Sequence, residues 1–171
     1  MHHTAGANHD PDPAATVRAI YFFDAITQGW GDLGYQLLID EAGTVYEGRW
    51  SGTDAVPVFG PLRPPQMVNG AHVVSFNAGN VGVVLLGDFT DQVPTPAARR
   101  SLDAVLALLA AATGLDPLGV TNYVNPVNGL TNTVDTISGH RDWAATECPG
   151  NQFYPQLPAV RHDVARLLGR A

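Results

Sequence analysis

The run VGVVLLGDF, from Val81 to Phe89, limits the folds open to this 171-residue chain more than any other segment. It is continuously apolar and rich in β-branched residues, which is typical of a strand covered on both faces. Such a strand needs a layer of structure on either side of its sheet. Since other segments have helical patterns, we predict an α/β fold with a central sheet and helices packed against it.

Three segments have patterns typical of helices. The first has Asp12 as its N-cap, a proline at the first helical position and Gly29 at its end. The second is the clearest, because Thr95 caps it, Gly114 ends it, and aliphatic residues between them form one stripe at helical spacing. A last helix is predicted within positions 157–169, again with aliphatic residues on one face.

The remaining segments predict strands and loops. Positions 34–40 and 44–49 are two short strand-like runs, and Gly43 between them suits a left-handed turn. Positions 50–69 are rich in proline and glycine, which indicates a long surface loop. Positions 120–138 predict an extended, hairpin-like excursion followed by a strand.

Charge and composition exclude some classes of function. The formal net charge is −7, and the nine basic residues are all scattered arginines, so the chain lacks the basic surface of a nucleic-acid binder. No apolar run approaches the length of a membrane span. The first residues have neither a basic head nor an apolar stretch, so we predict no signal peptide in this sequence. The length suits one domain.

The single cysteine, Cys148, excludes an internal disulfide and leaves three interpretations. It is a buried small hydrophobe, a nucleophile or a metal ligand. His140 lies eight residues earlier, in the segment GHRDWAATECPG. A catalytic zinc ion takes three protein ligands and leaves a fourth position for water. The pair alone is weak support for metal binding, because a free cysteine is usually just a buried small residue, and a third ligand must come from elsewhere in the chain.

Five segments occur together in one order, and they carry a resemblance to a known family. The chain resembles the zinc-dependent N-acetylmuramoyl-L-alanine amidases of type 2, a superfamily that includes the peptidoglycan recognition proteins, and it is most similar to the bacterial peptidoglycan-recognition branch. The resemblance extends from residue 2 to about residue 168. The segments are HHTAG, GWGDLGYQLLID, GTVYEGR, GAHVVSFNAGNVGVVLLGDF and GHRDWAATECPG.

The resemblance implies a fold, an activity and a partner. The fold is a central mixed β-sheet flanked by about three helices, in a single amidase domain over residues 1–171. The activity is hydrolysis of the amide between N-acetylmuramic acid and L-alanine, and the partners are peptidoglycan and muropeptides. The expected location of a full-length protein is extracellular or at the cell wall. The alternative function is a peptidoglycan-binding module without turnover.

The resemblance also implies a Zn²⁺ site. The first histidine of HHT corresponds to His2, the histidine of GHRD to His140 and the cysteine of CPG to Cys148. These three are the implied metal ligands. A cysteine nucleophile with His140 as its base remains a less favoured alternative, because no Asn or Asp that would orient the histidine is identified.

Four further residues match positions that have roles in the family. Tyr35 matches a catalytic tyrosine that hydrogen-bonds the reacting water or the oxyanion, and the alternative is a strand tyrosine with its ring in the core. Thr146 replaces the lysine of phage lysozyme-like relatives and either donates to the oxyanion or makes a local backbone bond. His72 and Asn77 match a segment that lines the substrate groove, and the alternative for His72 is a histidine satisfied by the backbone.

Other positions depart from the family or leave alternatives open. Recycling amidases have a glutamate where this chain has Val84, so no carboxylate base is apparent there. Asp142 and Glu147 flank the ligands, where a carboxylate orients a histidine or is merely solvated. Relatives have an apolar strand before the HHT histidine, whereas His2 here is the second residue. We therefore expect that a first strand is missing and that His2 would fray.

Overall fold

The computed structural model describes residues 1–53, 56–61 and 66–170. Within these ranges it has six strands and three α-helices. The strands are β1 His2–His3, β2 Leu37–Ile39, β3 Val45–Glu47, β4 Val83–Leu85, β5 Val120–Val124 and β6 Thr131–Asp135. The helices are α1 Pro13–Phe22, α2 Pro96–Thr113 and α3 Leu157–Leu167.

The central sheet is mixed, with the strand order β1–β4–β2–β3. β1 and β2 pair parallel with β4, and β3 pairs antiparallel with β2. β5 and β6 form a separate antiparallel hairpin. The predicted α/β fold with a central mixed sheet and three flanking helices is confirmed.

The helix termini follow the capping residues of the sequence. The Asp12 carboxylate accepts a hydrogen bond from the backbone of the third helical residue at 3.0 Å, and the Thr95 hydroxyl does the same at 3.1 Å. Gly114 ends α2 in the left-handed conformation, with a φ of 73°. α1 ends at Phe22 and continues as one π-helical turn, Phe23–Thr27. The predicted N-caps and the end of α2 therefore agree with the structure, whereas the α-helical part of the first helix ends before the predicted Gly29.

The two faces of the sheet have different coverings. Val83 and Leu85 of β4 pack in the core formed with α2 and α3, whereas Val84 between them packs in a second cluster with residues of α1. Side chains alternate along a strand, and His2 pairs in register with Val84. His2 is therefore directed to the face of the sheet that α2 and α3 leave open.

The predicted surface loop, 50–69, includes positions that lie outside the described residues. Its described part contains an isolated antiparallel bridge between Phe59 and Met67. Among the described residues, no helix is both long enough and apolar enough to cross a membrane.

A largely apolar cavity of about 340 Å³ lies beside β1 and β4. Leu106 and Leu109 of α2 line one wall, and Val134 and Ile137 line another. Met1 also lines the cavity, and its amino group donates a hydrogen bond of 2.8 Å to the Ser138 carbonyl. Burial lowers the pKa of this amino group to about 6.

Candidate metal centre

β1 is only two residues long, but hydrogen bonds hold both of its edges. On one side, β1 pairs with β4, and the Thr4 amide donates to the Leu85 carbonyl at 3.0 Å. On the other side, the His140 amide donates to the Met1 carbonyl at 3.0 Å. His2 is 2% exposed. The structure differs here from the expected fraying of His2, because neighbouring segments satisfy the backbone on both sides.

The three predicted metal ligands lie together. One donor atom from each of His2, His140 and Cys148 lies within 4.8 Å of the other two. The Cys148 Sγ is 3.7 Å from the His2 Nδ1. A sulfur and a nitrogen bound to the same tetrahedral zinc ion are about 3.6 Å apart, given bond lengths of about 2.3 and 2.05 Å. Two imidazoles and a thiolate at this spacing fit zinc.

Burial keeps both imidazoles neutral. It lowers the pKa of His2 well below its usual value and lowers that of His140 as well. Burial also raises the pKa of the Cys148 thiol, while a hydrogen bond from the His3 amide to Sγ, 3.4 Å long, opposes this rise. A divalent cation deprotonates a coordinating thiol outright. Neutral imidazoles and a hydrogen-bonded sulfur are thus available as ligands.

The loop that carries Cys148 is fixed by its own backbone and by its neighbours. The Arg141 amide donates to the Cys148 carbonyl at 3.1 Å, and the Arg141 side chain donates to Asn151 at 2.9 Å. The Thr146 hydroxyl accepts a hydrogen bond from the Cys148 amide at 3.2 Å. Thr146 therefore makes the local backbone bond that was one of its two predicted roles, and its hydroxyl proton remains available for a second bond.

Tyr35 lies beside the three donors. Its ring centroid is 5.2 Å from that of His2, at an interplanar angle of 57°. Burial, followed by the neighbouring Cys148, raises the pKa of Tyr35 above its usual range. The phenol is therefore a hydrogen-bond donor at any physiological pH.

The ring of His72 contacts this cluster, whereas the side chain of Asn77 binds the backbone of the loop that carries His72. The His72 Nδ1 is 3.1 Å from the His2 Nε2, and the His72 Nε2 is 3.0 Å from the Asn80 carbonyl oxygen. The Asn77 Oδ1 accepts hydrogen bonds from the backbone amides of His72 and Val73, each 2.8 Å long. The structure thus brings His72 against a predicted metal ligand and uses Asn77 to shape the loop.

Three residues next to the ligands in the sequence lie outside the donor cluster. His3 is directed to the opposite face of the sheet, where its Nδ1 accepts from the Phe89 amide at 3.2 Å. Asp142 accepts from the Gly139 amide at 2.7 Å and from the Tyr154 hydroxyl. Asp142 therefore braces the turn that carries His140 rather than a histidine ring. Glu147 is exposed.

Arg49, the last residue of the segment GTVYEGR, holds the loop before Tyr35 through its guanidinium. Its guanidinium donates to four backbone carbonyls, those of Trp30, Asp32, Leu33 and Asn69. Three of these carbonyls belong to the loop that leads into Tyr35. The segment YEGR is part of the family resemblance, but carbonyl partners leave no signal in a sequence. The same holds for the Asn80 carbonyl that contacts His72.

Three aromatic side chains, Phe76, Tyr123 and Trp143, pack together near the loops that carry His72 and His140. Trp143 packs against Phe76 and Tyr123, with ring centroids 5.5 and 5.1 Å away. The β5–β6 hairpin is held to the His72 loop because Asn125 donates to the Ser75 carbonyl at 2.6 Å and the Tyr123 hydroxyl donates to the Ala78 carbonyl at 2.6 Å. These bonds tie the hairpin and the His72 loop together beside the donors.

A mixed sheet with flanking helices, and a His/His/Cys donor set beside the half-buried Tyr35, is what the resemblance to the type 2 amidases implies. The chain matches the N-acetylmuramoyl-L-alanine amidase family over residues 1–151. This match covers most of the sequence, and the chain belongs to that family.

Individual relatives agree with this assignment. The chain is 30% identical to human N-acetylmuramoyl-L-alanine amidase over 158 residues, and 29% identical to peptidoglycan-recognition protein LB of Drosophila melanogaster over 153 residues. These alignments cover 92% and 89% of this chain, but only 22% and 52% of the relatives. The chain thus spans about a fifth of the human protein and about half of the fly protein.

Solved structures of recognition proteins share the fold. The structure of Drosophila PGRP-LB superposes with a TM-score of 0.67 at 26% identity, covering 92% of this chain and 76% of that one. The ectodomain complex of peptidoglycan recognition proteins LCa and LCx, solved with bound tracheal cytotoxin, superposes with a TM-score of 0.64 at 27% identity, covering 90% and 75%. The relatives therefore include both named amidases and recognition proteins.

Proposed function

We propose that this protein is a zinc-dependent N-acetylmuramoyl-L-alanine amidase, which hydrolyses the amide between N-acetylmuramic acid and L-alanine in peptidoglycan. The observation that carries the proposal is the clustering of His2, His140 and Cys148, whose donor atoms lie within 4.8 Å of one another. Family membership supports the same activity. The domain is proposed to comprise residues 1–171, and the substrate implies an extracellular or cell-wall location.

The three ligands would hold the metal ion with one coordination position left open. When bound, zinc supplies Lewis acidity, which polarises the amide carbonyl and makes water a better nucleophile at neutral pH. Two neutral imidazoles and one thiolate balance only part of the charge of a divalent ion. The site therefore keeps a positive potential that favours a developing oxyanion.

Tyr35 and Thr146 are the proposed hydrogen-bond donors to the reacting groups. Tyr35 keeps its proton because burial raises its pKa, so it donates rather than accepts near the oxyanion. The Thr146 hydroxyl already accepts from the Cys148 amide at 3.2 Å, which orients the remaining proton of that hydroxyl. Val84 is fully buried among aliphatic side chains and supplies no base.

The substrate contacts predicted for His72 and Asn77 remain predictions. His72 is 9% exposed, and both of its ring nitrogens have partners within the protein. The relative bound to tracheal cytotoxin supports peptidoglycan or muropeptides as the partner.

The test is mass spectrometry of a purified muramyl-peptide incubated with the protein, with added zinc or with a chelator. The expected result is release of a free peptide with N-terminal L-alanine, which is lost on chelation. Cys148→Ser should remove both zinc binding and cleavage while muropeptide binding persists.

Two other outcomes identify the competing functions. Muropeptide binding without any release in zinc would indicate a recognition module without turnover, a function that the structural relatives also support. Release that persists in chelator but not in Cys148→Ser would indicate a cysteine nucleophile instead.

A further inference from the structure

The ring of His72 is enclosed between a predicted metal ligand and a backbone carbonyl. Its Nδ1 faces the His2 Nε2 at 3.1 Å, and its Nε2 faces the Asn80 carbonyl oxygen at 3.0 Å. The two imidazole rings meet nearly edge-on, at 77°, with their centroids 5.1 Å apart. The nitrogen of His2 that faces the metal donors is the other one, Nδ1, 3.7 Å from the Cys148 Sγ.

The Asn80 carbonyl determines the direction of both hydrogen bonds that link Asn80, His72 and His2. A carbonyl oxygen only accepts, so the His72 Nε2 must carry a proton. A buried imidazolium is costly without an anionic partner, and the ring partners of His72 are a carbonyl and another histidine. The ring of His72 is therefore neutral, its Nδ1 has a lone pair, and the His2 Nε2–H donates to it.

We propose that His72 is a positioning residue for the metal site: it fixes His2 in the Nε2–H tautomer and directs the Nδ1 lone pair of His2 at the metal. This inference rests on the proposed function, because it assumes that His2 is a ligand. Metal-bound histidines generally donate their second N–H to a partner that fixes ring orientation. Here that partner is itself a histidine, anchored by a carbonyl.

The surroundings of His72 hold its ring in one orientation. A Cβ atom added at Gly82 would lie 2.5 Å from the His72 Cδ2, and one added at Gly70 would lie 2.7 Å from the same atom. Both distances are too short for real contacts, so these glycines let the backbone close directly on the ring. The Asn77 side chain fixes the His72 amide at 2.8 Å. A ring held this firmly can determine the tautomer of its neighbour.

The first experiment compares zinc affinity in two variants of equal shape. His72→Asn keeps an acceptor oxygen at the place of Nδ1, whereas His72→Leu has the same branching and no acceptor. We expect His72→Leu to weaken zinc binding about 10- to 100-fold in competition with a chromophoric chelator, the range for loss of such a partner. His72→Asn should stay within about threefold of the wild type, and the exposed His162→Leu serves as the unaffected control.

Equal losses in the Asn and Leu variants, or no loss in either, would overturn the positioning role. If the wild type itself binds no zinc, the proposed function fails instead, so the two failures are distinguishable.

A second measurement does not depend on a variant that folds. Long-range ¹H–¹⁵N spectra of the metal-free wild type distinguish protonated from unprotonated imidazole nitrogens. We expect a proton on Nε2 and none on Nδ1 in both His2 and His72. A proton on the His2 Nδ1 would contradict the inference, whatever the variants do.

Discussion

Tyr35 and His2 meet at the edge of the donor cluster, with 5.2 Å between their ring centroids. Burial, followed by the neighbouring Cys148, raises the pKa of Tyr35, so its phenol keeps its proton. A protonated phenol in this position is suited to stabilise negative charge that develops on a substrate oxygen.

Tyr35→Phe should therefore lower kcat about 10²- to 10³-fold, the usual cost of one lost oxyanion donor. Zinc affinity should not change, because the ring contact with His2 persists. Steady-state peptide release, together with the metal content of the purified variant, checks this prediction. An unchanged kcat would mean that Tyr35 is a structural tyrosine, as its alternative interpretation holds.

At the residue scale, the sequence indicated which side chains lie together better than it indicated the groups that orient them. His140 and Cys148 stand out because they lie eight residues apart in a chain with one cysteine, and the resemblance added His2. The orientation of His72 was not predictable, because it depends on the Asn80 carbonyl. Every residue has a carbonyl, so its position is known only after the loop is folded.

Gly82, the residue before β4, packs its backbone directly against the ring of His72. An added Cβ atom would lie 2.5 and 2.6 Å from two ring carbons. Gly82→Ala should therefore displace the ring, lower the free energy of unfolding by about 1–3 kcal/mol and weaken zinc binding. Urea unfolding and chelator competition measure the two effects.

Gly129→Ala is the matched control for this prediction. Gly129 has a φ of 74° in the β5–β6 turn, and a Cβ atom added there would meet no other described residue within 4 Å. This change should cost stability through backbone strain alone and leave zinc affinity intact. Loss of zinc affinity in both variants would contradict a specific effect on His72.

The π-helical turn after α1 contains a buried carboxylate, Asp24, which accepts from the Gly34 amide at 2.9 Å. Burial raises its pKa above the usual 3.8, although the Gly34 bond and Arg49 oppose the rise. The folded protein thus holds this proton more tightly than the unfolded chain does. Stability from this group is present below pH 3.8 and is lost as the pH rises through the raised value.

Asp24→Asn removes this titration. The free energy of unfolding of the wild type, measured relative to the variant, should fall as the pH rises from 3.8 toward neutrality. Urea unfolding of both proteins across this range checks the sign. A difference that grows in favour of the wild type with rising pH would show that the hydrogen bond and Arg49 outweigh burial.

Helices were more predictable than strand partners. Asp12, Thr95 and Gly114 are local signals, and they mark helix ends that the structure reproduces. β1 has two residues, too few for any periodic pattern, and its place in the sheet depends on pairing with β4. The alternation of Val83, Val84 and Leu85 between two clusters likewise depends on helices distant in sequence.

Across the whole molecule, the apolar cavity lies where β1 would extend backward. His2 pairs with Val84, so residues placed before Met1 would lie opposite Val81 and Gly82. The cavity is lined by Val81 and Val83 on this side and by residues 134–138 on the other. Its size and apolar walls suit an additional stretch of strand.

An apolar extension fused before Met1 should therefore stabilise the protein. Three or four β-branched residues should raise the free energy of unfolding by about 2 kcal/mol, the value of burying one aliphatic side chain. A Gly/Ser extension of equal length is the control, and thermal or urea unfolding measures both. Equal stability of the two extended proteins would contradict a strand-shaped cavity.

The buried amino group of Met1 has a consequence for the chemical reactivity of a chain that starts at this residue. Amine-directed reagents need a lysine or a free N-terminus, and this sequence contains no lysine, while its α-amino group is buried and bonded to Ser138. A protein expressed as the printed residues 1–171 would thus offer such reagents no accessible amine while it is folded. Acylation would require β1 to detach, so the labelling rate would report how often the strand that carries His2 opens.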